Sequence, residues 1–138
     1  METLKIAIQK SGRLSEKSLG LLKESGIRLA NGSRKLISLS SNFPLEVLFL
    51  RDDDIPQYVT DRVADIGIVG ENVILEKDCR VDLIKRLGFS RCRLSLAIHK
   101  SEEYTGSEYF QGKRIATSYP VILSRFLKDN GIEAEIHE

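Results

Sequence analysis

Cysteine is nearly absent from this chain: Cys79 and Cys92 are the only two, twelve residues lie between them, and no second metal-ligand pair accompanies them. That scarcity argues against a disulfide framework and against a cysteine zinc site, and leaves two reduced structural thiols. No apolar run reaches the 18 residues that a membrane-spanning helix needs. The first residues, from Met1 to Gln9, go straight into an alternating pattern, without the basic start and long apolar core of a signal peptide, so the expected location is the cytoplasm. Charge of one sign is also missing. Twenty-one basic residues against twenty acidic leave a formal charge of +1, which gives no strong pull toward nucleic acid or a membrane surface. Internal repeats and low-complexity segments are lacking as well.

What remains is an ordinary globular composition, 41% hydrophobic and 30% charged over 138 residues, long enough to bury a real core. Leu4, Ile6 and Ile8 alternate with Lys5 and Ala7 as in a strand, and after Lys10-Ser11-Gly12-Arg13 the spacing turns helical at Leu14, Leu19, Leu21 and Leu22 up to a stop at Gly26. Two strands, Lys35 to Ser40 and Glu46 to Leu50, flank the turn residues Ser41-Asn42-Phe43-Pro44 and predict a hairpin. Asp52, Asp53 and Asp54 precede Ile55-Pro56 and a short helical stretch to Arg62, where carboxylates suit the free amides of a helix start. Ile66 to Val69 is apolar on both faces and is expected in the middle of a sheet, with a helix starting behind Gly70-Glu71-Asn72. Strands are expected at Asp82 to Leu87 and Arg93 to Ile98. After the polar stretch Ser101 to Gly112 come a strand from Arg114 to Thr117, a helix to Asn130 and a strand from Ile132 to His137. This alternation predicts an α/β fold with a largely parallel sheet and a boundary between Arg91 and Lys100.

Lys10-Ser11-Gly12-Arg13 sits between a strand and a helix, where backbone amides and two cations attract anions. It has neither the Gly-rich run of a P-loop nor the dinucleotide fingerprint, and a plain turn with solvated charges is the competing reading. Arg34 and Arg51 flank the hairpin, so antiparallel pairing can bring both to one sheet edge, either as phosphate ligands or as solvated arginines. The aspartate run invites magnesium, but neighbouring carboxylates around a turn point apart, which favours capping. Gly67 and Gly70 bracket a strand end where a ligand or another backbone can come close. The hydroxyls of Thr117, Ser118 and Tyr119 at the next strand-to-helix junction suit phosphate binding and helix capping equally. His99 and His137 are isolated from one another and from the cysteines, and no nucleophile–base pair can be defended from spacing. Such a chain suits chemistry in which one bound substrate attacks another while the protein positions charge.

Taken in order, Ile6 to Leu14 (IAIQKSGRL), Ser33 to Ile37 (SRKLI), Leu50 to Pro56 (LRDDDIP), Asp65 to Asn72 (DIGIVGEN), Cys92 to Ser95 (CRLS) and Lys113 to Pro120 (KRIATSYP) resemble the ATP phosphoribosyltransferase family in sequence and spacing. The resemblance runs from about Leu4 to Pro120, and Gln9 to Arg13 is similar to the long form. It implies a two-lobed fold of the type II periplasmic-binding-protein kind, with residues 1–95 in the first lobe and 96–138 opening a second, incomplete one. It implies ATP and phosphoribosyl pyrophosphate as substrates in the cleft between lobes, Mg²⁺ with their phosphates, and a homo-oligomer, with dimers and a hexameric parent. Arg13 and Arg34 match the family's catalytic arginines. Lys10, Ser11, Gly12 and Arg51 match the phosphate and nucleotide region, Gly70, Glu71 and Asn72 the cleft wall, and Thr117, Ser118 and Tyr119 the second lobe; no protein metal ligand is expected. Against the family pattern the chain stops before the acidic, glycine-rich segment that binds the ribose phosphate, so little or no activity is expected of the 138 residues alone. The competing reading is a small-ligand or nucleotide sensing module of the same fold, against which Arg13 and Arg34 together count.

Overall fold

Ile6, Ala7 and Ile8 are all buried, and on a strand they cannot all face the same way, so β1 (Leu4–Gln9) needs cover on both faces. The computed structural model, which describes residues 2–30 and 36–138, supplies that cover within the first of two compact units, Met1–Arg91 and Cys92–Glu138. The helix α1 (Arg13–Glu24) closes one face through Leu19 and Leu22, which join Ile6, Ile8, Leu45 and Val47 in a single cluster. Ser15 and Ser18 are buried on α1, and the Ser18 hydroxyl is satisfied by donating to the Leu14 carbonyl at 2.6 Å. Gly26, at φ 82°, follows the Ser25 cap and lets the chain leave the helix in the left-handed region.

The strands β2 (Ile37–Leu39) and β3 (Leu45–Leu50) form the expected antiparallel hairpin, with Ser38 opposite Val47. β3 then pairs in parallel with β1 along its whole length, Leu4 with Leu45 through Gln9 with Leu50. The short α2 (Ile55–Thr60) follows a 3-10 turn at Asp52–Asp54 and covers the opposite face, where Ala7, Leu48, Ile55 and Ala64 cluster. Burying side chains of the size of Ile55 or Val47 stabilises by about 1.5–3 kcal/mol each, so these two clusters set the strand register.

β4 (Ile66–Gly67) corrects one expectation. The sheet order is β2-β3-β1-β4, so among the described residues this strand pairs with β1 alone and lies at the end of the sheet rather than in its middle. Its double-faced apolarity has another cause: Ile66 and Ile68 pack on the α1 side while Val69 packs on the α2 side. Helices on both faces, not strands on both edges, explain the pattern. α3 (Glu71–Lys77) follows at once.

Two more expectations fail at Asp82 to Leu87 and Arg93 to Ile98, which lie outside every strand. Alternation makes a chain able to pair but does not supply a partner, and among the described residues no ladder reaches these segments. Ile84 is accordingly 84% exposed.

In the second unit β5 (Arg114–Ala116) and β6 (Glu135–His137) pair in parallel on either side of α4 (Pro120–Asp129). Leu123 and Leu127 of α4 pack with Phe110 and Ile132, and Leu96, Ile98 and Ile136 close over them. Phe110 stands edge-on to Tyr109 at 5.3 Å between ring centroids, and the Lys113 ammonium lies 4.8 Å from the Tyr109 ring. No helix among the described residues is long and apolar enough to cross a membrane.

Candidate functional site

The parallel pairing of β1 with β3 ends at Gln9 and Leu50, and the Lys10 amide extends it by donating to the Leu50 carbonyl at 2.8 Å. Two carboxyl ends of parallel strands therefore release their loops side by side, the place where α/β sheets gather ligands. A pocket of about 420 Å³ opens there, lined by Gln9, Lys10, Ser11, Leu50, Arg51 and Asp52. Lys10, Ser11 and Arg51 are thus brought together from two loops separated by forty residues of sequence. Among the described residues Lys10, Arg13 and Arg51 take part in no ion pair. The pocket lining carries two cations, Lys10 and Arg51, against one carboxylate, Asp52.

α1 adds its own polarity. Its first intrahelical bond runs from the Glu16 amide to the Gly12 carbonyl at 3.1 Å, so the amides of Arg13, Leu14 and Ser15 have no helical acceptor, and Gly12 supplies no side-chain cap. Gly12 itself stands at φ 95° and ψ −173°, a conformation essentially reserved for glycine. Gly12→Ala is expected to cost about 1–3 kcal/mol through this strain alone. A lower urea midpoint at unchanged slope would report it; an unchanged midpoint would mean that the turn relaxes freely.

Asp52 accepts the Asp53 amide on Oδ1 at 2.9 Å, which begins the 3-10 turn, while Arg51 contributes its carbonyl to the Asp54 amide at 3.0 Å. Neither Arg51, at the N-cap of the 3-10 turn, nor Asp54, at the N-cap of α2, makes a side-chain capping bond, so the capping expected of the aspartates is not seen. Among the described residues no group of three acidic, histidine or cysteine side chains is placed to hold a metal ion.

Gly70, Glu71 and Asn72 lie at the start of α3 in the same unit, outside this pocket. A Cβ on Gly70 would collide with the Asn72 carboxamide oxygen, so Asn72 folds back over the helix start. Glu71 is held by the Arg86 guanidinium, both side chains being at least half exposed. Gly67 serves packing: a Cβ there would come within 2.6 Å of Ile55 Cγ2. In the second unit Thr117 Oγ1 accepts the Tyr119 amide at 2.9 Å and the Thr117 amide donates to the His137 carbonyl at 2.9 Å, a turn at the β5–α4 junction with Ser118 exposed beside it, while the N-cap of α4 makes no side-chain capping bond. Arg34 lies outside the described residues. Sequence reasoning missed Gln9, Leu50 and Asp52 as pocket residues; the strand ends themselves were the available signal. A larger open hollow of about 550 Å³ lies between α4 and β6 and contains none of the expected site residues.

The model of a protein family described as ATP phosphoribosyltransferase matches residues 51–138. A relative of that name from Bacteroides thetaiotaomicron is 61% identical over 134 residues, covering 97% of this chain and 47% of its own length. Another, from Cytophaga hutchinsonii, is 61% identical over 135 residues, covering 98% and 47%. Among solved structures, an ATP phosphoribosyl transferase (HisG:HisZ) complex from Thermotoga maritima superposes with a TM-score of 0.68 at 27% identity, covering 98% of this chain and 63% of that one. The α/β architecture is therefore of the type II periplasmic-binding-protein kind. The chain spans about half the length of the curated relatives it matches.

Proposed function

The chain belongs to the ATP phosphoribosyltransferase family, and from that premise we propose that it forms part of an enzyme joining ATP to phosphoribosyl pyrophosphate, the first step of histidine biosynthesis. The observation that carries the reading is the pocket at the ends of β1 and β3, where Lys10, Ser11 and Arg51 meet beside the uncapped start of α1. In this reaction N1 of the adenine forms a bond to the anomeric carbon while the bond from that carbon to the pyrophosphate oxygen breaks. Pyrophosphate departs with the electron pair, so negative charge grows on the leaving group. Lys10 and Arg51 hold phosphate oxygens, the α1 amides add fixed dipoles, and Arg13 with Arg34 stabilises the growing charge. The protein needs no nucleophile of its own, in keeping with the absence of a defensible nucleophile–base pair.

Mg²⁺ in this role neutralises charge on the substrate phosphates. Such ions are held by phosphates with one or two carboxylates, and Asp52, as the carboxylate lining the pocket, fits that sparse donor set. Gly70, Glu71 and Asn72 at the α3 start, and Thr117, Ser118 and Tyr119 at the β5–α4 junction, are proposed as further substrate-binding residues by their places in the family motifs. A cytoplasmic homo-oligomer is the proposed setting. The name shared by the relatives favours the enzyme over a solute-sensing module of the same fold.

The test is pyrophosphate release from ATP plus phosphoribosyl pyrophosphate with Mg²⁺, measured on the 138-residue chain and on the chain completed with the C-terminal half of a relative. Release by the completed enzyme that vanishes on omitting either substrate supports the reading. Absence of release from the completed enzyme, together with binding of amino acids or sugars but not ATP, would favour the sensing module.

A further inference from the structure

We propose that Gln9 is a ligand-contacting residue of the β1–β3 pocket, donating from its carboxamide to a phosphoryl oxygen held between Lys10 and Arg51. The inference rests on the phosphate-binding reading of that pocket and adds a residue to it. Gln9 ends β1 opposite Leu50, so the backbone ladder fixes its position one residue before Lys10 and across from the residue preceding Arg51. It is half-buried and lines the pocket. Its Nε2 lies 3.8 Å from where a Cβ on Gly12 would stand, which puts the carboxamide beside the turn that leads to α1. Among the described residues this carboxamide makes no hydrogen bond within the protein.

The chemistry of the lining gives that amide a distinct part. Lys10 and Arg51 only donate and carry full charge, and Asp52 only accepts, with Oδ1 already taken by the Asp53 amide. Gln9 offers two N–H donors and one acceptor without adding charge. Cations draw a polyphosphate in from a distance, whereas a neutral amide on a strand end, fixed by the sheet, selects the orientation in which an oxygen meets its N–H. The amide has no protein partner and its polar atoms are reached by solvent, so a phosphoryl oxygen in the pocket can take the place of water there.

Inorganic pyrophosphate with Mg²⁺ is the probe, titrated calorimetrically into the 138-residue chain and its variants, with circular dichroism checking that each is folded. Gln9→Ala is expected to weaken binding roughly tenfold, the size of one hydrogen bond to a charged group. Gln9→Glu keeps the shape but sets a carboxylate against the phosphoryl oxygens, and is expected to weaken binding more than Gln9→Ala. If Gln9→Ala weakens binding while Gln9→Glu binds as the unaltered chain does, the side chain merely props the turn and the inference is overturned. If both bind normally while Lys10→Ala and Arg51→Ala lose affinity, the inference falls and the pocket reading stands. If the unaltered chain binds no pyrophosphate, or Lys10→Ala and Arg51→Ala have no effect, the pocket reading itself fails and takes the inference with it.

Discussion

Arg13→Ala in the completed enzyme is expected to lower turnover roughly a hundred- to a thousandfold, about 2.7–4 kcal/mol of transition-state stabilisation. Arg13 is the first residue of α1, directly after the Gly12 turn and among amides that have no helical acceptor. It is exposed and, among the described residues, engaged in no ion pair, so its removal breaks no internal structure and leaves the fold as a control. The contrast is with Arg86, whose exposed pairing with Glu71 belongs to a class worth about 0–1 kcal/mol. A guanidinium that meets charge developing on departing pyrophosphate acts in a water-poor complex, where the same contact counts for far more. Steady-state kinetics distinguish the roles: loss in kcat and kcat/KM together marks an interaction made in the transition state, whereas a raised KM at constant kcat marks uniform binding. Arg13→Lys retains charge without the planar fork and is expected to recover only part of the loss. Near-normal turnover by Arg13→Ala would remove it from catalysis. Arg34→Ala is expected to fall in the same range by its place in the family motif.

The sequence made the first unit legible wherever local pattern and global contact agree. Ile6, Ala7 and Ile8 are apolar in succession because both faces of β1 are covered, and the hairpin turn at Ser41 to Pro44 is dictated by its own residues. Lys10, Ser11 and Arg51 were legible as candidates because strand-to-helix loops are where cations and free amides coincide. The errors share a cause. Asp82 to Leu87 and Arg93 to Ile98 have strand composition, but a strand exists only with a partner, and partnership is not encoded in the segment. β4 was misplaced for the complementary reason, since helical cover on two faces leaves the same apolar pattern as a central position. In the sequence Gln9 reads only as part of the family motif; its place in the pocket lining shows once the ladder sets it opposite Leu50.

Gly67 was open to two explanations, ligand approach or packing, and the geometry decides between them in a way that stability measurements can check. Ile55 is fully buried, opens α2 and fills the face of the sheet against Ala7 and Leu48. Ile55→Ala is expected to cost about 2–5 kcal/mol, the range for a large-to-small change in a packed core. Gly67 gives Ile55 its space: an added Cβ would lie 2.6 Å from Ile55 Cγ2 and 3.3 Å from Val59 Cγ2, so Gly67→Ala is expected to cost about 1–3 kcal/mol by overpacking. The two effects cannot be additive, because the methyl that alanine would bring at position 67 lodges in the space vacated by the Ile55 side chain. In the Ile55→Ala background the cost of Gly67→Ala should therefore fall, giving a coupling of about 0.5–3 kcal/mol in a double-mutant cycle. Hydrogen exchange at the Ala7 and Ile8 amides, on the buried strand β1, reports opening of this unit separately from the second. Additive costs would show that Ile55 does not set the limit at Gly67, and would return the glycine to the ligand-approach reading.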